Sequence, residues 1–202
     1  LYTHIPENGD RAGQMSVLLK KYLWSSFFTD RYENSAASRA YVDYSNLLNI
    51  VRGQTKHNSS VLYSDLDVPV LNRSLYPLSS VEQLFNVTWP KRVSIRGRGI
   101  LAVANYFSAL DFADGSPISA TTISKREYHH IFPDALIKEA NEILRIEADS
   151  SIALNCALIS SPTNRTIGKK EPMVYLKERF NWMDEKIIEQ RLQSHLVPIA
   201  EL

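Results

Sequence analysis

Two adjacent histidines, His129 and His130, are the residues whose type and spacing are best suited to chemistry. Neighbouring side chains of an extended segment point to opposite faces, so one imidazole can bind a metal ion while the other faces a substrate. A neutral histidine has an ordinary pKa of about 6.5 and can accept a proton from water near neutral pH. Asn155 and Asn164 follow later in the chain and supply two amide side chains to the same set.

These residues resemble the signature of the His-Asn-His (HNH, or ββα-metal) endonucleases. Directly after the histidine pair, Ile131-Phe132-Pro133 is similar to the apolar-apolar-Pro run of that family, and Asn164-Arg165 is similar to its terminal Asn-Arg. The Cys-x-x-Cys zinc knuckles that are frequent in the family are absent from this chain. The interval from His130 to Asn155 is longer than the short family version, which predicts an inserted helix between the two strands.

The resemblance implies a role for each residue of the signature. It makes His130 the general base and Asn155 the residue that holds the loop between the strands and orients that base. It assigns the metal site to His129 and Asn164. Mg²⁺ is the expected ion, and Mn²⁺, Ni²⁺ or Zn²⁺ stay open because a histidine in the first ligand position is softer than the commoner Asp. The implied activity is metal-dependent hydrolysis of DNA phosphodiester bonds.

A wider set of segments looks like the C-terminal half of GmrSD-type modification-dependent restriction proteins. The similar segments are residues 23–33, 129–133, 164–168 and 172–176. This resemblance implies a part in restriction or phage defence, with modified phage or plasmid DNA as the partner. It also implies an N-terminal ParB-like domain with nucleotide-dependent activity. The chain begins at Leu1 and has no Gly-x-x-x-x-Gly-Lys-Ser/Thr loop, so we expect it to be the C-terminal part of a longer protein.

Basic residues near the signature are candidates for binding the DNA backbone. Arg165, Lys169 and Lys170 follow Asn164 closely enough to contact phosphates. A second basic cluster lies upstream and contains Lys91, Arg92, Arg96 and Arg98, with no acidic residue among them. This cluster is either a further DNA-backbone footprint or an interface with the expected N-terminal domain. Basic side chains at a helix end can also be merely solvated.

The elements that must position these residues are predicted by apolar periodicity to form a predominantly helical α+β fold. In the first part of the chain the expected helices cover about residues 15–28, 37–51, 81–85 and 100–110. A polar stretch with Pro69 and Pro77 predicts a long connection between the second and third of them.

Around the histidines the pattern of apolar residues predicts strands as well as helices. The expected order is a strand over 127–132, a helix over 133–148, a strand over 153–160, and helices near 164–168, 172–180 and 188–196. Ser161 or Thr163 is the expected cap of the helix that carries Asn164. The turn at 111–117 suggests a boundary between a helical subdomain over 1–117 and an HNH motif with C-terminal helices over 118–202.

Composition is that of an ordinary globular domain and excludes several classes. The net charge of +1 is not that of a polycation, so binding to nucleic acid must come from local patches. The single cysteine, Cys156, excludes an internal disulfide, suits a reducing cytosol and is expected to be buried. No stretch reaches the roughly 20 apolar residues that span a bilayer, so a cytoplasmic location and no membrane partner are expected.

Two other interpretations stay open. The chain can be a catalytically silent DNA-binding or regulatory module, or a structural domain that anchors a partner subunit. If the histidine segment is only a structural strand pair, Asn155 and Asn164 merely form turns. Glu127 is expected as a solvated residue at the end of a strand. The remaining histidines are expected to be exposed or loosely packed, and they are His4, His57 and His195.

Overall fold

The fold is α+β and predominantly helical, as the periodicity predicted. A computed structural model describes residues 1–5, 7, 9–91 and 93–197. Within these ranges the structure has eight α-helices and a two-stranded antiparallel sheet. The bounds are α1 Asp10–Phe28, α2 Ala36–Val51, α3 Val81–Phe85, α4 Ile95–Tyr106, β1 Arg126–His130, α5 Asp134–Leu144, β2 Cys156–Ser160, α6 Ser161–Ile167, α7 Pro172–Phe180 and α8 Glu185–Gln193.

The chain divides into two compact units, Leu1–Leu84 and Phe85–Leu202. The sequence placed the division at the turn over 111–117, whereas this turn lies inside the second unit. Asp111 is fully buried there and pairs with Arg126 of β1. A turn composition indicates a change of chain direction, and it does not distinguish a linker from a loop that is bonded into a core.

The first unit is built on α1 and α2. The buried side of α1 includes Leu18 and Leu19, and that of α2 includes Leu47 and Val51. The expected long connection follows α2, but it is not simply polar. It contains a short 3-10 turn over Pro69–Leu71 that packs against α1.

The second unit contains the sheet and the candidate functional residues. β1 pairs with β2 in the register Arg126 to Ser160 through His130 to Cys156. The helix α5 lies between the two strands in sequence, so the predicted insertion is confirmed. It ends at Leu144, earlier than expected, where Arg145 takes a left-handed conformation with φ of 55°.

β2 is apolar on both faces because each face is covered. Ala157 and Ile159 belong to a core shared with α6, α7 and α8. Cys156 and Leu158 belong to a second core shared with α4. A strand covered on both sides has a continuous run of apolar residues in its sequence.

The helix α6 follows β2 without a connecting loop. Its cap is Ser160, whose Oγ accepts a hydrogen bond from the backbone N–H of Thr163, so the assignment of Ser161 or Thr163 as the cap is wrong. Pro162 suits the first turn because it lacks an N–H that would need a partner. The direct strand-to-helix junction brings Asn164 beside β1.

None of the helices in the described ranges is long and apolar enough to cross a lipid bilayer.

Candidate active site

The two adjacent histidines lie in one open cleft of about 330 Å³ in the second unit. The cleft is formed where the end of β1 meets α6 and the start of α5. Its lining residues are Tyr128, His129, His130, Pro133, Asp134, Ala135, Asn164, Gly168 and Lys169. The structure therefore brings together His129, His130 and Asn164, which the sequence predicted as one site.

His129 is buried at 4% exposure and faces Asn164. Its Nδ1 lies 2.8 Å from the Oδ1 of Asn164. Its other ring nitrogen, Nε2, is also buried and has no hydrogen-bond partner among the described residues. Burial lowers the pKa of His129, and the contact with Asn164 only partly opposes that effect, so the imidazole is held neutral.

Glu127 completes a chain of side chains along this face of β1. Residues two apart on a strand share a face, which places Glu127 beside His129. The Nδ2 of Asn164 donates to the Oε2 of Glu127 at 2.7 Å. The amide of Asn164 thus bridges a carboxylate and an imidazole. Glu127 is exposed as expected, but it is bonded to the candidate site and is not merely solvated.

His130 is half-buried under an indole ring. The ring of Trp89 stacks on it with centroids 3.9 Å apart and planes at 21°. Trp89 is held by its backbone N–H, which donates to the carbonyl of Ser151 at 2.7 Å. Burial lowers the pKa of His130, and the charge of Asp134 partly opposes this, so a neutral ring that can accept a proton is favoured.

Asn155 does not line the cleft but fixes the loop after the histidines. Its Oδ1 accepts from the backbone N–H of Phe132 at 2.7 Å, and its Nδ2 donates to the carbonyls of Phe132 and Ser150, both at 2.9 Å. A buried amide with all of these bonds satisfied is a rigid connection. The backbone directly after His130 is consequently tied to the segment before β2.

The donor set fits a divalent cation with few protein ligands. Two neighbouring ligands in an octahedral shell with bonds of about 2.1 Å lie about 3 Å apart. The Nδ1 of His129 and the Oδ1 of Asn164 are separated by 2.8 Å, which is close to that spacing. In the part of the chain that the structure describes, no group of three or more His, Cys, Asp or Glu side chains is arranged to hold a metal ion. A metal here would therefore have two protein ligands and an open shell.

The basic residues after the signature differ in their surroundings. Lys169 is exposed and lines the cleft, and Arg165 is exposed on α6 directly after Asn164. Lys170 is already paired, because its Nζ lies 2.5 Å from the Oε2 of Glu178. Lys169 and Arg165 are thus better placed than Lys170 to contact a phosphate.

The upstream basic cluster is not part of the cleft lining in the described ranges. Arg96 is half-buried and Arg98 is exposed, both on α4, and Lys91 is exposed. Arg92 lies outside the described residues. The candidate role of Arg96 and Arg98 at the DNA backbone stays a prediction.

Asp111 supports the site in a way that the sequence did not reveal. Its carboxylate accepts hydrogen bonds from the N–H of Ser160 at 2.6 Å, from Oγ1 of Thr163 at 2.5 Å and from Arg126 at 2.8 Å. Burial acts to raise the pKa of Asp111, but the hydrogen bonds from Thr163 and Ser160 outweigh it and lower the pKa below its usual range. The start of β1 is thereby fastened to the start of α6.

Four residues outside the signature were also assigned surroundings from the sequence. Cys156 is buried as predicted, and burial raises the pKa of its thiol to about 12. His4 and His57 are exposed as predicted. The expectation for His195 is wrong, because its ring is buried, lies 2.8 Å from the carbonyl of Leu110 and packs edge-on against Phe112. Nothing in its local sequence signalled that contact.

Comparison with known proteins finds a distant relative and no family. No family model matches this chain. The uncharacterized protein MJ0686 of Methanocaldococcus jannaschii is 26% identical to it over 160 residues, which is 79% of this chain and 25% of that protein. The chain thus spans about a quarter of the length of this relative. No solved structure matches. The similarity is therefore to one segment of a longer archaeal protein.

Proposed function

We propose that this chain is a metal-dependent DNA endonuclease with a site of the HNH (ββα-metal) type. The observation that carries the proposal is the meeting of His129, His130 and Asn164 in one cleft. A neutral imidazole that can accept a proton lies there beside an imidazole and an amide that suit a divalent ion. The roles inferred from the sequence resemblance thus fall on residues that can cooperate on one substrate.

Hydrolysis of a phosphodiester needs a water molecule that loses its proton, positive charge at the phosphate, and help for the departing oxygen. His130 accepts the proton of the attacking water, since burial keeps its ring neutral. Trp89 holds the plane of this ring through the stacking contact. Asn155 fixes the loop that follows the ring through its bonds to Phe132.

His129 and Asn164 would hold the divalent ion, for which Mg²⁺ is the first candidate and Mn²⁺, Ni²⁺ or Zn²⁺ are alternatives. When bound, such an ion supplies positive charge at a non-bridging phosphate oxygen and at the leaving oxygen. Lys169 at the rim of the cleft and Arg165 on α6 bind the DNA backbone. Contacts of this kind carry no base information, so cleavage is only weakly sequence-specific.

The biological setting in this proposal is restriction or phage defence in the cytoplasm, with modified phage or plasmid DNA as the target. It rests on the resemblance of residues 23–33, 129–133, 164–168 and 172–176 to GmrSD-type proteins. The same resemblance supports a ParB-like nucleotide-dependent domain preceding this chain in the full protein.

The decisive experiment is the nicking of supercoiled plasmid with Mg²⁺, with Mn²⁺ or with a chelator. We expect metal-dependent nicking by the chain, and a loss on the order of 10² to 10⁴-fold in His130→Ala, because a general base contributes about that much. His57→Ala is the matched control, since His57 is an exposed histidine of the first unit.

Two outcomes would contradict the proposal. Nicking that survives in His130→Ala would mean that another group accepts the proton or that a contaminant cuts the DNA. Tight DNA binding without cleavage in any metal would favour the catalytically silent regulatory module.

A further inference from the structure

We propose that Glu127 is a positioning residue that sets the orientation of the Asn164 amide toward the metal site. This inference rests on the proposed function, because it concerns how the second metal ligand is prepared. Glu127 and His129 lie two residues apart on the same face of β1, and Asn164 reaches both from α6. The Glu127 contact is 2.7 Å and the His129 contact is 2.8 Å.

The chemistry of the three groups allows one orientation of the amide. An ionised carboxylate only accepts hydrogen bonds, whereas an amide has a donating NH₂ end and an accepting oxygen end. Glu127 therefore holds the NH₂ of Asn164, and the Oδ1 is left facing His129. The flipped amide would place its oxygen against the carboxylate, where two acceptors repel each other. Only the oxygen end of an amide can bind a cation.

Glu127 is itself held between the two elements that form the site. Its backbone belongs to β1, and its carboxylate accepts the hydrogen bond from Asn164 of α6. Residues that orient a metal ligand in this way typically contribute about 10 to 100-fold to metal affinity.

The first test is Mn²⁺ binding to the metal-free 202-residue chain, measured by calorimetry without DNA. We expect Glu127→Ala to weaken binding by about 10-fold or more. Glu127→Gln should recover part of the affinity, because its side-chain oxygen can still accept from the Asn164 NH₂. A purely electrostatic effect of the carboxylate would instead leave Glu127→Gln as weak as Glu127→Ala, and that result would overturn the positioning role. Glu139→Ala, an exposed carboxylate of α5, is the control with no expected change.

A second readout needs no metal. The side-chain NH₂ resonances of Asn164, assigned by their loss in Asn164→Asp, should shift and exchange faster in Glu127→Ala than in the unaltered chain. Unchanged resonances would overturn the inference.

Failure of this inference can be separated from failure of the proposed function. If Asn164→Ala and His129→Ala lose Mn²⁺ binding while Glu127→Ala keeps it, only the positioning role of Glu127 is refuted. If all three variants bind Mn²⁺ like the unaltered chain, the assignment of the metal site is refuted, and so is the positioning role of Glu127.

Discussion

Trp89 stacks on the ring of His130, which is the general base in the proposed function. The two rings stack with centroids 3.9 Å apart, and Tyr128 packs edge-on against the same indole at 6.4 Å. Trp89→Ala should lower the maximal nicking rate by up to about 100-fold, because a base that is displaced by about 1 Å loses about that much. Trp89→Phe should restore part of the rate, since a phenyl ring can still stack.

The control for this prediction is Trp182→Ala, because Trp182 is 85% exposed and lies in the same unit. The measurement is the nicking rate at saturating plasmid for each variant, with the circular dichroism spectrum as a check on folding. A full rate in a correctly folded Trp89→Ala variant would refute the positioning effect.

Lys169 and Lys170 differ in their charge environment although they are adjacent. The ammonium of Lys170 is 2.5 Å from Glu178, while Lys169 lines the cleft. Lys169→Ala should reduce the slope of log affinity for DNA against log salt concentration by about 1, as expected for one lost phosphate contact. Lys170→Ala should leave this slope nearly unchanged. Equal changes in the two variants, measured by fluorescence anisotropy, would show that Lys170 exchanges Glu178 for a phosphate.

The junction of β1, β2 and α6 depends on the buried pair of Asp111 and Arg126, whose side chains are 0% and 3% exposed. Asp111→Ala should lower the free energy of unfolding by about 3–5 kcal/mol, because it leaves a buried guanidinium without its partner. Glu178→Ala is the matched control, since it removes an exposed ion pair and should cost less than about 1 kcal/mol. Urea denaturation followed by circular dichroism measures both values. A loss below about 1 kcal/mol in Asp111→Ala would show that the junction holds without this carboxylate.

The same carboxylate makes the stability of this junction depend on pH. The folded-state pKa of Asp111 is lowered relative to an unfolded value of about 3.9. Its contribution is therefore complete above the unfolded pKa and is lost as the pH falls through the folded pKa. The free energy of unfolding should drop as the pH falls below about 4, and this drop should be smaller in Asp111→Asn. An identical drop in that variant would assign the acid sensitivity to other carboxylates.

The elements themselves were largely predictable because their signals are local. Apolar periodicity predicted α1, α2, α5 and α7 to within a few residues at most ends. The helix ends that were predicted wrongly depend on particular side-chain hydrogen bonds. The side chain of Asn141 bonds both backbone groups of Ala148 and so closes the turn after α5, where a longer helix was expected.

In the whole molecule, the candidate site and its supporting contacts belong to the second unit. The side chains that hold the cleft residues are those of Trp89, Asp111, Glu127 and Asn155, all within Phe85–Leu202. A chain of residues 85–202 should therefore fold and bind Mn²⁺ with the affinity of the full chain. Far-UV circular dichroism and calorimetry measure the two properties. An unfolded fragment, or a folded one that has lost Mn²⁺ binding, would show that residues 1–84 contribute to the site.

The sequence by itself determined the class of the fold and predicted the histidine pair of the candidate site, because these depend on neighbouring positions. His129 and His130 are adjacent, and the period of apolar residues is read within one element. Only the tertiary structure decided which distant groups support them. Trp89 stacks on His130, and Asp111 binds Thr163 across 52 positions of the chain. Such contacts depend on the path of the backbone through the core, and no local pattern of residue types encodes that path.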